Sequence, residues 1–79
     1  MTVVVNLTAA TQVKIGPGLL IAISVTTTGP CTAHDTTQSA AAGTLMVTTP
    51  TAVGVTQVNM PFTNGLLITP TGAAAVYYQ

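Results

Sequence analysis

The chain has 79 residues, of which 48% are hydrophobic and 3% are charged, and its formal net charge is zero. This composition excludes intrinsic disorder, because disordered chains combine low hydrophobicity with high net charge. It also excludes nucleic-acid binding, which needs several Lys or Arg side chains to neutralise phosphates, whereas Lys14 is the only basic residue of these two types.

The small size predicts association. A chain of this length buries only about 60% of the surface that it exposes when unfolded, and such domains usually rely on disulfides, a metal or oligomerisation. Cys31 is the only cysteine and His34 the only histidine, so neither an internal disulfide nor a four-ligand zinc site can form. Because a nearly chargeless surface also favours association, we expect a homo-oligomer or a subunit of a larger assembly, without a cofactor.

Hydropathy indicates no membrane partner. The longest apolar stretch, Leu19 to Val25, is far shorter than the roughly 20 residues of a membrane-spanning helix. The start of the chain, Met1 to Asn6, has no Lys or Arg and predicts no secretory signal. We therefore expect synthesis in a cytosol, where Cys31 stays a thiol and acts as a small buried apolar residue.

Runs rich in β-branched residues alternate with Gly, Pro and Asn, which predicts seven or eight short strands joined by turns. In chain order these strands are Thr2 to Thr8, Thr11 to Ile15, Leu19 to Thr27, Cys31 to Thr36, Thr44 to Thr49, Val53 to Met60, Leu66 to Thr69 and Ala74 to Tyr78. The prolines are expected between strands, because proline interrupts the ladder of hydrogen bonds. Gln38 to Ala42 is expected to be a loop.

Two of these strands predict which side chains face the core. In the second strand, Val13 and Ile15 are expected to point inward and Lys14 outward. The third strand has a longer alternation, with Leu19, Ile21, Ile23 and Val25 on the core face and Leu20, Ala22, Ser24 and Thr26 on the other. Because the second face is only half polar, the strand is expected to be central in its sheet or to meet a partner there.

The pair Asn64-Gly65 predicts a two-residue turn with positive φ at both positions. Such a hairpin would fold Leu66 to Thr69 back beside Val55 to Met60. Phe62 would then lie near the hairpin mouth, either closing the end of the core or projecting into a neighbour. The complete set of expected core or interface anchors is Phe62, Tyr77, Tyr78, Leu19, Ile21 and Ile23.

These elements predict one all-β domain over residues 1–79, built as a small antiparallel β-sandwich or a barrel of seven or eight strands. Composition alone leaves both architectures open. Residues 1–10 are expected to form either an N-terminal strand or an arm.

The residues that could carry chemistry do not combine into a site. His34 and Asp35 are neighbours, and successive side chains of a strand point to opposite faces, so a catalytic pair is not expected. Cys31 and His34 would also lie on opposite faces. We therefore predict a protein that is not an enzyme, with no catalytic, cofactor or metal residues, in which Asp35 makes a local turn with Thr36 and Thr37.

Four segments together resemble a family of small virion proteins of tailed bacteriophages. The segments are Val13-Lys14-Ile15-Gly16-Pro17-Gly18-Leu19-Leu20, His34-Asp35-Thr36-Thr37 leading to Ala42-Gly43-Thr44-Leu45, Pro61-Phe62-Thr63-Asn64-Gly65-Leu66, and Ala75-Val76-Tyr77-Tyr78. They resemble the K-x-G-x-G-x-L turn, the YD-x-T strand end, the PF-x-x-GL segment and the last strand of that family. The resemblance covers residues 11 to 79, and His34 stands where the family usually has tyrosine.

The resemblance implies a β-sandwich that decorates or cements a capsid, as a symmetric oligomer without an active site. The partner would be the major capsid protein or another virion protein, and the place would be the virion, assembled in the host cytoplasm. A tail or fibre component that acts in adsorption remains an alternative, as does a minor shell protein whose N-terminal arm enters a neighbour. The scarcity of aromatic and charged residues argues against a recognition tip.

Overall fold

The computed structural model describes residues 2–37 and 43–79. Its eight strands lie at the eight positions that the sequence predicts. They are β1 (Val3–Leu7), β2 (Thr11–Ile15), β3 (Gly18–Val25), β4 (Cys31–Asp35), β5 (Thr44–Thr48), β6 (Gly54–Phe62), β7 (Gly65–Pro70) and β8 (Ala74–Tyr78). The expected loop Gln38 to Ala42 lies outside the described residues.

The strands form two antiparallel sheets of four strands each. Sheet A has the order β1-β8-β3-β6 and sheet B the order β2-β7-β4-β5. Two separate sheets make the fold a β-sandwich rather than a barrel, and this strand order is that of a jelly roll. β3 lies between β8 and β6, so its expected central place in a sheet is confirmed. Residues 3–7 form an edge strand, the first of the two expected alternatives for the N-terminal segment.

The hydrophobic core lies between the two sheets and takes side chains from both. Its buried members are Leu7, Leu20, Ile23, Val25, Cys31, Ala33, Phe62, Leu66, Ile68, Ala74 and Val76. Phe62 is the largest of the fully buried side chains. Burial of a side chain of this kind contributes about 1.5 to 3 kcal/mol, so a few such residues decide the stability of a domain this small.

The predicted core face of β3 is only half correct, because the strand contains an irregularity. Ile23 and Val25 are core residues as expected, but Leu20 takes the third core position, while Leu19 and Ile21 are half-buried and lie outside the core. The pairing of β3 with both neighbours shifts between Leu20 and Ala22. A bulge adds one residue to a strand and reverses the alternation beyond it, and this reversal is not visible in the sequence.

A second bulge corrects the prediction for β2. The pairing of β2 with β7 shifts between Gln12 and Lys14, and Ile15 is 74% exposed instead of pointing inward. Val13 does pack against the core, as expected. Lys14, which was expected to point outward, is half-buried and lies opposite the core residue Leu66.

Two prolines lie inside strands, contrary to the prediction. Pro61 is the eighth residue of β6, and Pro70 is the last residue of β7. β6 is an edge strand with a neighbour on one side only, and edge strands tolerate proline because one row of their backbone groups is unpaired.

The prediction of a hairpin at Asn64-Gly65 is wrong. β6 pairs with β3 in sheet A, whereas β7 pairs with β2 and β4 in sheet B, so the connection crosses from one sheet to the other. Neither Asn64 nor Gly65 has a positive φ. Gly65 is required here for a different reason: a Cβ atom would lie 2.7 Å from the carbonyl oxygen of Thr36 and 2.8 Å from that of Lys14.

Candidate docking surface

The six expected anchors divide between the core and the outside of sheet A. Phe62 and Ile23 are core residues, and Tyr78 packs against the core from its edge. Leu19, Ile21 and Tyr77 are half-buried and lie outside the core cluster. These three residues therefore belong to the surface of the sandwich.

The strand register shows which residues share the outer side of sheet A. Val5, Val76 and Ile23 form a row across β1, β8 and β3 that faces the core. The rows on either side of it must face outward, since side chains alternate along each strand. These outward rows contain Val4, Tyr77, Ala22 and Gln57, then Asn6, Ala75, Ser24 and Val55, and at one end the pair Leu19 and Pro61. We call these residues the outer face of sheet A.

The outer face of sheet A has no charge. The two charged residues of the sequence, Lys14 and Asp35, lie on β2 and β4, and His34 lies on β4 as well. All three therefore belong to sheet B. Depletion of charge together with the presence of tyrosine is typical of the central part of protein interfaces.

Several apolar side chains of sheet A are accessible to a partner. Val4 is 50% exposed and Val55 is 66% exposed, on the two opposite edge strands, and the half-buried Tyr77 lies beside Val4. Of this outer face, Leu19 and Tyr77 are among the anchors that the sequence predicts, whereas Val4 and Val55 are not. The signal for these two valines is the alternation along β1 and along the first half of β6, which identifies an outer side chain only once the core side of each strand is known.

Asp35 has a structural role, but not the local one that was expected. Its Oδ1 accepts hydrogen bonds from the backbone nitrogens of Asn64 at 2.8 Å and Gly65 at 3.3 Å. Its Oδ2 accepts one from the backbone nitrogen of Thr63 at 3.0 Å and one from the Thr63 hydroxyl at 3.2 Å. These bonds, the Thr63 amide first, hold the pKa of the Asp35 carboxyl below its usual value. The carboxylate thus fixes the connection between the two sheets.

The outer side of sheet B differs from that of sheet A. Leu67 lies there in a row between Gln12 and His34, and it is only 1% exposed. Gln12 Oε1, His34 Nδ1 and Thr69 Oγ1 are buried and have no hydrogen-bond partner among the described residues. This side therefore combines buried polar atoms with His34, whereas none of the buried, unpartnered side-chain atoms of the described residues lies on the outer face of sheet A.

The part of the chain that the structure describes contains no pocket and no group of three or more His, Cys, Asp or Glu residues able to hold a metal ion. Cys31 is 1% exposed in the core, which confirms its expected burial. This burial raises the pKa of the Cys31 thiol to about 11. No helix among the described residues has the length and hydrophobicity needed to cross a membrane.

Comparison with known proteins adds no relative. The chain matches no protein family, no curated protein and no solved structure. A functional interpretation therefore depends on the chargeless outer face of sheet A, on the strand order and on the resemblance of the four sequence segments.

Proposed function

We propose that this chain is a structural protein of a tailed-phage virion, and that it decorates or cements the capsid by binding the major capsid protein and copies of itself. The outer face of sheet A is the surface that docks on the capsid in this proposal. The role requires no catalysis and no cofactor, and the chain would reach the virion during assembly in the host cytoplasm.

The observation that carries the proposal is the segregation of charge. A free subunit with one chargeless face that exposes apolar side chains tends to associate, whereas a subunit that is seated on a shell gains stability by covering that face. Both charged residues lie on sheet B, so docking through the outer face of sheet A would not cover them and would bury no unpaired charge.

The strand order gives a second, weaker support. Jelly rolls build many viral capsid domains, but they also build lectin and cupin domains, and a fold alone does not determine a function. The sequence resemblance points to the virion among these possibilities. The strand order and the sequence resemblance support the proposal independently, since the resemblance depends on turn and core motifs and not on the order of strands.

A matched pair of lysine variants tests the docking surface. Val55→Lys places a charge on the outer face of sheet A, and Leu45→Lys places the same charge on sheet B. Both residues lie on edge strands. Val55 is 66% exposed and Leu45 is 54% exposed. The measurement is the number of copies per purified particle, by quantitative mass spectrometry. We expect Val55→Lys to lose most of its occupancy and Leu45→Lys to keep it.

The same measurement separates the head from the tail. Hundreds of copies per particle support capsid decoration, whereas a few dozen or fewer support the alternative of a tail or fibre component. Full occupancy of Val55→Lys together with loss of Leu45→Lys would assign docking to sheet B. Absence of the parent chain from particles would refute a virion role.

A further inference from the structure

The two sheets have four edge strands, β1 and β6 in sheet A and β2 and β5 in sheet B. An edge strand exposes a row of unpaired backbone N–H and C=O groups, which can pair with another chain. Natural proteins usually prevent this pairing with proline, charge or a bulge on the edge.

Three of the four edges are protected. β6 contains Pro61, and Asn59 in the same strand has a φ of 52°, close to the shift in its pairing with β3. β2 contains Lys14 and a shift in its pairing with β7. The pairing of β5 with β4 is also irregular, with a shift between Ala33 and His34. Bulges twist an edge and interrupt the regular spacing that a new strand would need.

β1 has none of these protections. Its pairing with β8 runs without a shift from Val3 opposite Tyr78 to Leu7 opposite Ala74. Its sequence, Val3-Val4-Val5-Asn6-Leu7, contains no proline and no charge. Val3 is 41% exposed and Val4 is 50% exposed. The strand is thus regular, apolar and accessible at the edge of sheet A.

We propose that the free edge of β1 pairs antiparallel with β1 of a second copy of the chain, which joins the two copies of sheet A into one continuous sheet across a two-fold axis. This inference rests on the self-association included in the proposed function, and it names the surface that performs it. Main-chain hydrogen bonds between the two edges supply the attraction in this mode of recognition.

A second copy fits this edge better than an unrelated partner because the strand is complementary to itself. Val3, Val5 and Leu7 pair with core-facing residues of β8, and Val4 and Asn6 pair with outward-facing ones. A two-fold axis at Val5 pairs all five residues of the strand and opposes only side chains that face the same way. No charge opposes another in this register. The joined sheet would present the outer faces of both copies on one side, as a docking surface of twice the size.

The test compares two lysine variants of sheet A in purified protein, without particles. Val4→Lys puts a charge beside the axis in each copy, and Val55→Lys puts the same charge on the opposite edge strand as the control. By sedimentation at micromolar concentration we expect the parent and Val55→Lys to be dimers and Val4→Lys to be a monomer. Because Val55→Lys is also expected to fail in docking to particles, loss of the dimer and loss of docking are distinguishable.

Cross-linking gives a second readout that does not depend on destabilising the dimer. A mixture of Val4→Cys and Asn6→Cys chains should form a disulfide between copies, because this register places these two positions opposite each other. Val55→Cys mixed with Asn6→Cys should form none. A monomeric parent, a dimer that survives Val4→Lys with its affinity unchanged, or cross-linking through Val55→Cys would each overturn the proposal.

Discussion

The carboxylate of Asp35 accepts a hydrogen bond of 2.8 Å from the backbone nitrogen of Asn64, which is 29 positions away in the sequence. Asp35 ends β4 in sheet B, and Asn64 lies in the connection that leaves β6 of sheet A and enters β7 of sheet B. The only carboxylate side chain of the sequence thus stabilises the segment in which the chain crosses between the two sheets.

We predict that Asp35→Asn lowers the free energy of unfolding by about 1 to 2 kcal/mol. Hydrogen bonds to a charged acceptor are stronger than neutral ones. The asparagine side chain would also direct its own N–H group toward backbone N–H groups that need an acceptor. This expectation differs from the one that follows from a purely local turn, for which the same substitution would have little effect. Urea denaturation of the two proteins measures the difference.

Thr63→Ala is the matched control for this prediction. It removes the hydroxyl bond of 3.2 Å and leaves the Thr63 amide bond of 3.0 Å intact. We expect a loss of about 0.5 kcal/mol, smaller than that of Asp35→Asn. Equal stability of Asp35→Asn and the parent would show that the carboxylate is not a stabilising acceptor in solution.

The lowered pKa of Asp35 predicts acid sensitivity. A carboxyl whose pKa is lower in the folded state than in the unfolded chain stabilises the fold above its unfolded value, here close to 3.8. That stabilisation is lost as the pH falls from about 4 through the folded pKa. Thermal melting between pH 2 and pH 6 should show the loss in the parent. Asp35→Asn should lack this component, and identical pH profiles would contradict the assignment.

The alternation of side chains and the positions of turn residues predicted where the strands lie. Runs such as Thr11 to Ile15 and Ala74 to Tyr78 became strands with the expected bounds. Strand positions depend on local composition, which the sequence displays directly. The side of the strand that faces the core depends in addition on bulges, and the shift between Leu20 and Ala22 reversed the expected orientation of half of β3.

The partners of the strands were not predictable in the same way. Asn64-Gly65 suits a tight hairpin, yet the structure uses these residues in a crossing between sheets. A turn motif describes local backbone preference, whereas the choice of sheet depends on contacts between distant residues such as Asp35 and Thr63. For the same reason, the chargeless outer face of sheet A became visible only when strand order placed Lys14 and Asp35 together in sheet B.

Cys31 is predicted to react only through unfolding. Its thiol is 1% exposed, and its pKa is raised to about 11, so at pH 8 it is both protected and protonated. We expect labelling of the native protein by a thiol reagent to be slower than labelling in urea by a factor close to the unfolding equilibrium constant. Asp35→Asn should accelerate labelling by the same factor by which it raises the unfolding equilibrium constant. Rapid labelling of the native parent would show that this part of the core is open.

Gly65→Ala is predicted to disrupt the bridge made by the Gln12 side chain. Gln12 Nε2 donates hydrogen bonds of 2.8 Å to the carbonyl oxygens of Lys14 and Thr36, and a Cβ atom on Gly65 would lie 2.8 Å from this nitrogen. Such crowding costs about 1 to 3 kcal/mol. In a Gln12→Ala background the cost should fall by at least about 0.5 kcal/mol, because one of the clashing groups is gone. Strict additivity in urea denaturation would show that the two sites are not coupled.

Phe62 is predicted to be the side chain on which the fold depends most. It is 1% exposed at the end of β6 and packs so closely over Gly18 that a Cβ atom there would lie 2.6 Å from the Phe62 ring. Truncation of a buried phenylalanine to alanine costs about 3 to 5 kcal/mol, and a domain of this size has about as much stability in total. Phe62→Ala should therefore unfold the subunit at room temperature.

Two further variants make this expectation specific. Phe62→Leu keeps most of the apolar volume and should cost about 1.5 kcal/mol or less, so it should remain folded. Met60→Ala removes a side chain of similar length from the same strand at a position that is 38% exposed, and its cost should be smaller than that of Phe62→Ala because less buried surface is lost. The measurement is thermal melting by circular dichroism. Equal melting of Phe62→Ala and Met60→Ala would mean that the Phe62 ring is not part of the core in solution, and the placement of β6 against sheet B would then be wrong.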